Sequence, residues 1–458
     1  MVVSVVIKNC KVVKPEGIFT AGIAIEGEKI IGIGRDEDLP SAEKVIDAGG
    51  RYVIPGLVDV HVHLGYPYPT VPLDFAEGVR SDTAAAAAGG VTTVSHLPIT
   101  AEPLLETLQS VKAVVEQKSY VDVALCGLIM NEGHVKEIAK AVSDFGVSHF
   151  KFLFAYRGEE AVPGVPGVDD GLIYLGFEEI GRLAREGYQV FARTHCETVE
   201  LAFRLKHRMR DQGLEPHWTD ARPNFVEADS MLRAINFAKI TGCPLYIVHM
   251  TIREGNDIIR KARVEGLKIW CETCPHYLVT NCDNIDRVFS KCNPPIRQKE
   301  DNEALWDGIR AGVIDAVATD HAAVRKEEKP NLWDGIVGDA GVETMLPVML
   351  SEGVSKGRIS LSKMVELCCY NPARIYGLAP QKGTLEVGSD ADLVIIDLEK
   401  KVKWSAEKSL ARSDYSLYEG WEFQGWPTLT MLRGTIVMEE GKITGEPGTG
   451  QYLPAKVK

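Results

Sequence analysis

A short apolar run followed by an amphipathic helix recurs about eight times between Gly56 and Ser351, and this repetition narrows the possible folds more than any other feature. The runs are GLVDVHVHL, TTVSHL, VDVALCGLI, HFKFLFA, YQVFART, LYIVHM, LKIWCET and IDAVATD. Each has the length of a buried strand, and helical periodicity follows it. The periodicity predicts helices over 82–88, 104–116, 135–142, 177–185, 199–210, 225–239, 252–264, 303–311 and 342–351. Parallel neighbouring strands need a crossover, which is usually a helix. Unbroken succession of such units points to a closed (β/α)8 TIM-like barrel, an α/β fold, over an open sheet.

The two ends of the chain follow another grammar. VVIKNCKVV, AGIAIEGEKIIGIG and KVIDAGGRYV are short alternating segments punctuated by Gly, the pattern of an antiparallel sheet. ADLVIIDL and LTMLRGTIVMEEGKI repeat it near the C-terminus. Neither end is self-sufficient, so both are expected to combine into one small β-sandwich. The expected division is residues 1–54 for the N-terminal part of the sandwich, 55–378 for the barrel, and 379–458 for the C-terminal part and tail.

Barrel sites lie at the C-terminal ends of the strands. The first strand ends in His61 and His63, two residues apart and so on one side of it. Lys151 is on the fourth strand, His195 closes the fifth, His249 the sixth, and Asp320 with His321 the eighth. One such histidine alone is ordinarily a core or surface residue. Agreement across five strand ends marks a metal centre.

Lys151 lies in HFKFLFAY, where Phe150, Phe152 and Phe154 face one side of a strand and Lys151, Leu153 and Ala155 the other. A buried ammonium must lose its proton, find a partner or be chemically converted. Two readings stay open: an ion pair with a carboxylate, or addition of CO2 to the neutral amine, giving a carbamate (N6-carboxylysine) that bridges two cations. Four imidazoles, one carboxylate and a lysine carbamate suit two divalent ions of the zinc, manganese or cobalt type. Such a pair shares a hydroxide and polarises a carbonyl, which is machinery for hydrolysis.

With a net charge of -13 and interspersed Lys and Arg, the chain offers no basic face to nucleic acid or anionic lipid. The start, MVVSVVIKNCKVV, lacks the marks of a signal peptide, and no apolar run is long enough for a bilayer, so a soluble cytoplasmic protein is expected. The 10 cysteines do not form a disulfide framework, and Cys271-x-x-Cys274 has no second pair at zinc-ribbon spacing. His276 reads as structural or as a support behind the ligands, His321 as a support for Asp320, and His96 as packing.

Almost the whole chain resembles the amidohydrolase superfamily, and within it the cyclic amidohydrolases: hydantoinase, dihydropyrimidinase, allantoinase and dihydroorotase. The matching pieces are PGLVDVHVH, DFAEGVRSDTAAAAAGGVTT, FKFLFAY, LYIVHMT, ETCPHYL, NPPIR, ATDHA and KGTLEVGSDADLVIID. DYSLYEG and GEPGTGQYL add a likeness to hydantoinases and dihydropyrimidinases beyond the barrel. The resemblance implies that His61, His63, Asp320 and carboxylated Lys151 hold the more buried zinc, and His195 and His249 the other, with the carbamate bridging. It implies Asp320 as general base and Tyr156 as hydrogen-bond donor to the oxyanion. The implied reaction is opening of a hydantoin or dihydropyrimidine ring to an N-carbamoyl amino acid by a metal-bridging hydroxide. Allantoin, or another cyclic amide or imide, is the alternative, and homotetramers or dimers are implied. A non-catalytic scaffold of this fold would lose ligands, whereas every ligand position here is filled.

Departures concern recognition of the substrate. Gly65 stands where dihydroorotases carry a carboxylate-gripping arginine. Asn293 replaces the hydantoinase serine before Pro294-Pro295, and IVGDAGVETMLP reads more like allantoinase or dihydroorotase. Asn293, Gly338 and Asp339 are therefore expected at the substrate, and Val162, Val165 and Val168 of the long loop after Arg157 as a pocket wall or as loop packing.

Overall fold

The computed structural model describes residues 2–67, 71, 73–161 and 167–458. Eight parallel strands close on themselves: β1 (Leu57–Val62), β2 (Val91–His96), β3 (Asp122–Leu125, continued by Gly127–Leu128), β4 (His149–Leu153), β5 (Phe191–His195), β6 (Leu245–Ile247), β7 (Ile269–Thr273) and β8 (Ala316–Val317). Closure runs through a parallel bridge between Val62 and His321 and the 2.8 Å bond from His63 N to His321 O. The TIM-like barrel expected from the repeat is the one observed.

Pattern and burial agree along β4. Phe150, Phe152 and Phe154 pack outward into the main core with Ile173 and Phe177, while Lys151 faces the interior and is 2% exposed. The helices α1 (Phe75–Ala88), α2 (Leu104–Lys118), α3 (Glu132–Phe145), α4 (Asp170–Arg185), α5 (Val199–Asp211), α6 (Trp218–Ala221), α7 (Asn224–Thr241), α8 (Glu254–Val264), α9 (Pro275–Val279) and α10 (Lys299–Arg310) coat the barrel or line its mouth. Several begin earlier than periodicity suggested. α1 starts at Phe75 because the Asp74 carboxylate accepts from the Ala76 and Glu77 amides, a polar cap that hydrophobic spacing does not reveal. α3 ends where Gly146 takes φ 63°, a left-handed stop. The helix expected over 342–351 is instead a short α turn, Met345–Val348, running into a π turn, Met349–Ser355.

Both ends of the chain build the sandwich. One sheet orders Lys29–Gly34, Gly22–Glu26, Val2–Lys8 and Ser41–Asp47. In the other, Leu393–Lys403 pairs antiparallel with Tyr52–Pro55, joining C-terminal to N-terminal strands. Val5, Ile7, Ile23, Val53, Leu393 and Met431 fill the space between. The sheets are mixed where antiparallel ones were expected, since Val2–Lys8 with Ser41–Asp47 and Lys11–Lys14 with Tyr52–Pro55 run parallel. The tail leaves the sandwich and follows the barrel, with Val123 and Gln451, Leu453 and Val123, and Ala455 and Gly146 hydrogen-bonded. Between barrel and sandwich, Lys382 Nζ lies 2.5, 2.9 and 2.7 Å from Asp122, Asp390 and Asp392. These three carboxylates form a compact acidic cluster, and the ammonium at its centre is their counter-ion. Among the described residues no helix is long and apolar enough to cross a membrane.

Candidate metal centre and active site

Barrel closure gathers the ligand candidates at one mouth. His61, His63, Lys151, His195, His249 and Asp320 line a single cavity of about 100 Å³ with Tyr156, Asn293, Gly338 and Asp339. Asp320 Oδ1 is 3.1 Å from His61 Nε2 and 3.2 Å from His63 Nε2. The His61 and His249 rings stack at 5.3 Å, and His195 meets His249 edge-on at 4.6 Å. Ligand atoms of His61, His249 and Asp320 all lie within 4.8 Å of one another. Three residues here, Tyr156, His249 and Asp320, have positive φ of 62°, 39° and 51°. Side chains other than glycine rarely adopt that region, and such strain concentrates where geometry serves chemistry.

The electrostatics suit cation binding. Burial holds His61, His195 and His249 below the usual imidazole range, with Lys151 a further cause in each case, so these rings are neutral donors. Burial opposes ionisation of Asp320, but the hydrogen bond from His63 and electrostatic attraction to the surrounding His249, His63 and Lys151 favour its charged form and outweigh it, so the carboxyl sits far below its usual value. Lys151 is pulled down to about 7 by burial, with Arg193 adding to it. Its Nζ lies 3.2 Å from His61 Nε2, and among the described residues no carboxylate lies within ion-pair distance. The carboxylate-paired reading of Lys151 therefore fails, leaving an amine packed among ligand atoms.

Supporting groups that sequence reading missed fix the rings. His61 Nδ1 meets Glu272 Oε1 at 2.6 Å, leaving Nε2 for the cavity. His195 Nε2 meets Glu197 Oε2 at 2.7 Å, leaving Nδ1. Such partners orient imidazole ligands. Glu197 is 3.0 Å from Arg222, which is 2.6 Å from Glu160, and Glu160 is paired with Lys206. Burial raises Glu272 to about 7. Burial also opposes Glu197, but Arg222 and His195 hold it down at about 2. Glu272 was present in the ETCPHY motif and Glu197 two residues after His195, but nothing local shows which ring each one meets.

The remaining candidates divide. Tyr156 lies against His195, ring centroids 5.1 Å apart, and burial raises its phenol well above the usual value, so it stays a proton donor. Gly338 reaches the cavity, but its amide donates to Lys291 O while its carbonyl accepts from Lys329 Nζ and Tyr415 Oη. Asp339 also lines the cavity, its carbonyl accepting from the Ala322 amide. His276, read as structural or as a support, forms part of the wall, and its buried Nε2 has no partner among the described residues. His321 does not support Asp320: its Nδ1 accepts from the Val342 amide and its Nε2 lies 3.3 Å from Asp82, because the side chain turns outward from the mouth. His96, read as packing, is buried and accepts from the Leu64 amide, and it also lines a neighbouring cavity. Val168 is buried against the core, whereas Val162 and Val165 lie outside the described residues.

Residues 52–437 match the amidohydrolase family. The chain is 36% identical over 461 residues to an L-hydantoinase of Paenarthrobacter aurescens, covering 98% of this chain and 97% of that protein. It is 34% identical to an allantoinase of Solibacter usitatus, covering 98% and 97%. A solved L-hydantoinase (dihydropyrimidinase) from Arthrobacter aurescens superposes with a TM-score of 0.90 at 35% identity, covering 98% of this chain and 99% of that one.

Proposed function

The chain belongs to the amidohydrolase family, and on that premise we propose that it hydrolyses the C-N bond of a cyclic amide, opening a hydantoin or dihydropyrimidine ring to an N-carbamoyl amino acid. The observation that carries the reading is the convergence of the six ligand candidates on one cavity that also holds Tyr156. Relatives named hydantoinase and allantoinase at 36% and 34% identity support the reaction class. The second of these makes allantoin the alternative ring.

The donor set fits two divalent cations, zinc or else manganese or cobalt. His61, His63, Lys151 and Asp320 would hold one, and His195, His249 and Lys151 the other. When bound, the cations supply Lewis-acid activation of water and polarise the amide carbonyl. Lys151 would join both sets as a carbamate, formed when its neutral amine attacks CO2, an N-C bond forms, and the displaced proton leaves to solvent. Asp320, ionised and in contact with His61 and His63, takes the proton of the attacking water and passes it to the leaving ring nitrogen. Tyr156 donates its O-H to the oxygen on which charge develops. A second cavity of about 460 Å³ shares His63, Tyr66, Leu97 and Ile99 with the first and continues to Val111 and Val114, which supports a ring carrying an apolar substituent.

An assembly of identical chains, a dimer or tetramer, belongs to the same proposal. Phe225, Leu232 and Ile240, at helical spacing along α7, are exposed and supply an apolar stripe for it, which light scattering would read. The function is tested by ring opening with metal-replete protein and bicarbonate across hydantoin, 5-substituted hydantoins, dihydrouracil, allantoin and dihydroorotate. Turnover of a hydantoin or dihydrouracil is expected. Exclusive turnover of allantoin would shift the reading to the alternative, and silence on every ring would refute it.

A further inference from the structure

Two segments share one side of the cavity wall, Cys292 with Asn293 and Val337 with Gly338 and Asp339. An ammonium joins them. Lys329, 1% exposed, donates from Nζ to Phe289 O at 2.7 Å, to Lys291 O at 2.8 Å and to Gly338 O at 2.7 Å, so all three of its N-H groups meet backbone carbonyls. The first two carbonyls lie just before Asn293, and the third lies between Val337 and Asp339. The Gly338 amide adds a 3.2 Å bond to Lys291 O, and Tyr415 Oη a 2.8 Å bond to Gly338 O. Lys291 works in the opposite sense, its own Nζ donating to Trp333 O at 3.1 Å and Gly335 O at 2.6 Å. The chain from Lys329 to Gly338 is thus folded round two ammonium groups, with the Ile336 amide bonded to Glu328 O at 2.9 Å. Buried carbonyls need donors, and here lysines supply what water supplies to an exposed loop. At Gly338 the backbone takes φ 139°, and a Cβ there would stand 2.7 Å from Ala322 O, so the segment is also pressed against the residues that follow β8. Asn293 is fixed on the same wall by the Trp218 indole, which donates to its Oδ1 at 2.8 Å.

We infer that Lys329 is a positioning residue for substrate binding: its ammonium clamps the two wall segments to each other and so preforms the face that meets the ring. The inference rests on the proposed ring opening, in which Asn293 and the 337–339 segment face the substrate. The six ligand candidates and Tyr156 ride on β1, β4, β5, β6 and β8 or on residues just after them, so none is carried by the clamped segments. A loosened clamp therefore weakens binding of the ring and leaves the reacting groups in place. Without the ammonium, Gly338 O keeps Tyr415 and Lys291 O keeps the Gly338 amide, while Phe289 O loses its donor among the described residues. The segments stay joined at fewer points, and a wall that is ordered only when substrate arrives subtracts that ordering from the binding free energy.

The test compares wild type with Lys329→Met, Lys329→Gln and Ile23→Ala, the last a large-to-small change in the sandwich core. On whichever ring the wild-type enzyme opens, Lys329→Met is expected to raise KM by about tenfold with kcat within about twofold, the pattern of binding lost equally from ground and transition states and the size of about one hydrogen bond. Metal content is expected to stay unchanged. Lys329→Gln keeps a shorter donor and is expected to raise KM by less, and it carries the test if the methionine variant does not fold. Ile23→Ala is expected to keep the wild-type KM. A fall in kcat at unchanged KM would overturn the inference, and so would an equal rise of KM in Ile23→Ala, which would make the effect one of general stability. A readout independent of turnover is hydrogen exchange followed by mass spectrometry. Peptides covering 289–293 and 331–339 are expected to exchange about tenfold faster in Lys329→Met and to stay within about twofold of wild type in Ile23→Ala. Wild-type exchange of these peptides in both Lys329 variants overturns the inference even if no ring in the panel is opened. Failure of ring opening in the wild type, by contrast, counts against the proposed function.

Discussion

Replacing Glu197 by Gln probes how far the proposed metal ligands depend on charges behind them. The carboxylate is fully buried between His195, at 2.7 Å, and Arg222, at 3.0 Å. It is held at about 2 against an ordinary value of 4.5. At about 1.4 kcal/mol for each pH unit, that depression corresponds to about 3 kcal/mol of folding stability at neutral pH. The same order follows from breaking a buried pair by removing one partner, about 3 to 5 kcal/mol. Gln keeps the shape and an acceptor for His195, and Arg222 keeps Glu160, so the loss should lie at or below the lower figure. The sign with pH is fixed by the depressed value: the contribution is complete above about pH 4.5 and disappears as pH falls toward about 2. Denaturant unfolding of metal-free wild type and Glu197→Gln should therefore show a gap of about 2 to 3 kcal/mol at pH 7 that narrows through the acid range. Chelator competition should show metal affinity weakened by about tenfold to a hundredfold, the usual effect of losing a group behind a ligand. Equal stability at pH 7, together with metal affinity within threefold of wild type, would refute the argument that this ion chain holds His195.

Lys151→Ala should abolish uptake of the proposed pair of cations, read by metal analysis after gel filtration, and dialysis of wild type free of CO2 should lower metal uptake until bicarbonate is returned. Tyr156→Phe should lower kcat by about a hundredfold with little change in KM, as expected for a donor that works mainly on the developing oxyanion. Lys382→Met would take from Asp392 its ion-pair partner and leave Asp122 and Asp390 only Arg433 and Lys29, in a cluster where the ammonium lies 2.5 to 2.9 Å from each carboxylate. That should cost about 3 to 5 kcal/mol, read as a lowered unfolding midpoint or insoluble protein. Phe150→Ala in the outer core of β4 should cost about 3 to 5 kcal/mol without altering ligand identity, so a folded variant should still bind metal.

The barrel, and the group of ligand candidates that share one cavity, were legible along the chain for one reason. Strand ends converge in a closed parallel barrel whatever lies between them, so His61, His63, Lys151, His195, His249 and Asp320 could be grouped from their place in the strand pattern alone. Less was legible wherever a contact depends on side-chain direction or capping. α1 began at Phe75 because of the Asp74 cap, and His321 turned to Asp82 and away from the mouth. Gly338, expected at the substrate, lines the cavity, yet its amide and carbonyl are both occupied by groups from other segments.

Sequence alone, then, was enough for the architecture and for which residues share the cavity, because periodicity and residue type are local properties that the barrel converts into position. Only the tertiary structure decided which groups steady that site. Glu272 meets His61 across 211 positions, and Trp218 meets Asn293 across 75. These pairs are chosen by packing within a few ångströms, and in a buried setting the partner of a polar group decides its protonation, its orientation and the side on which it can act.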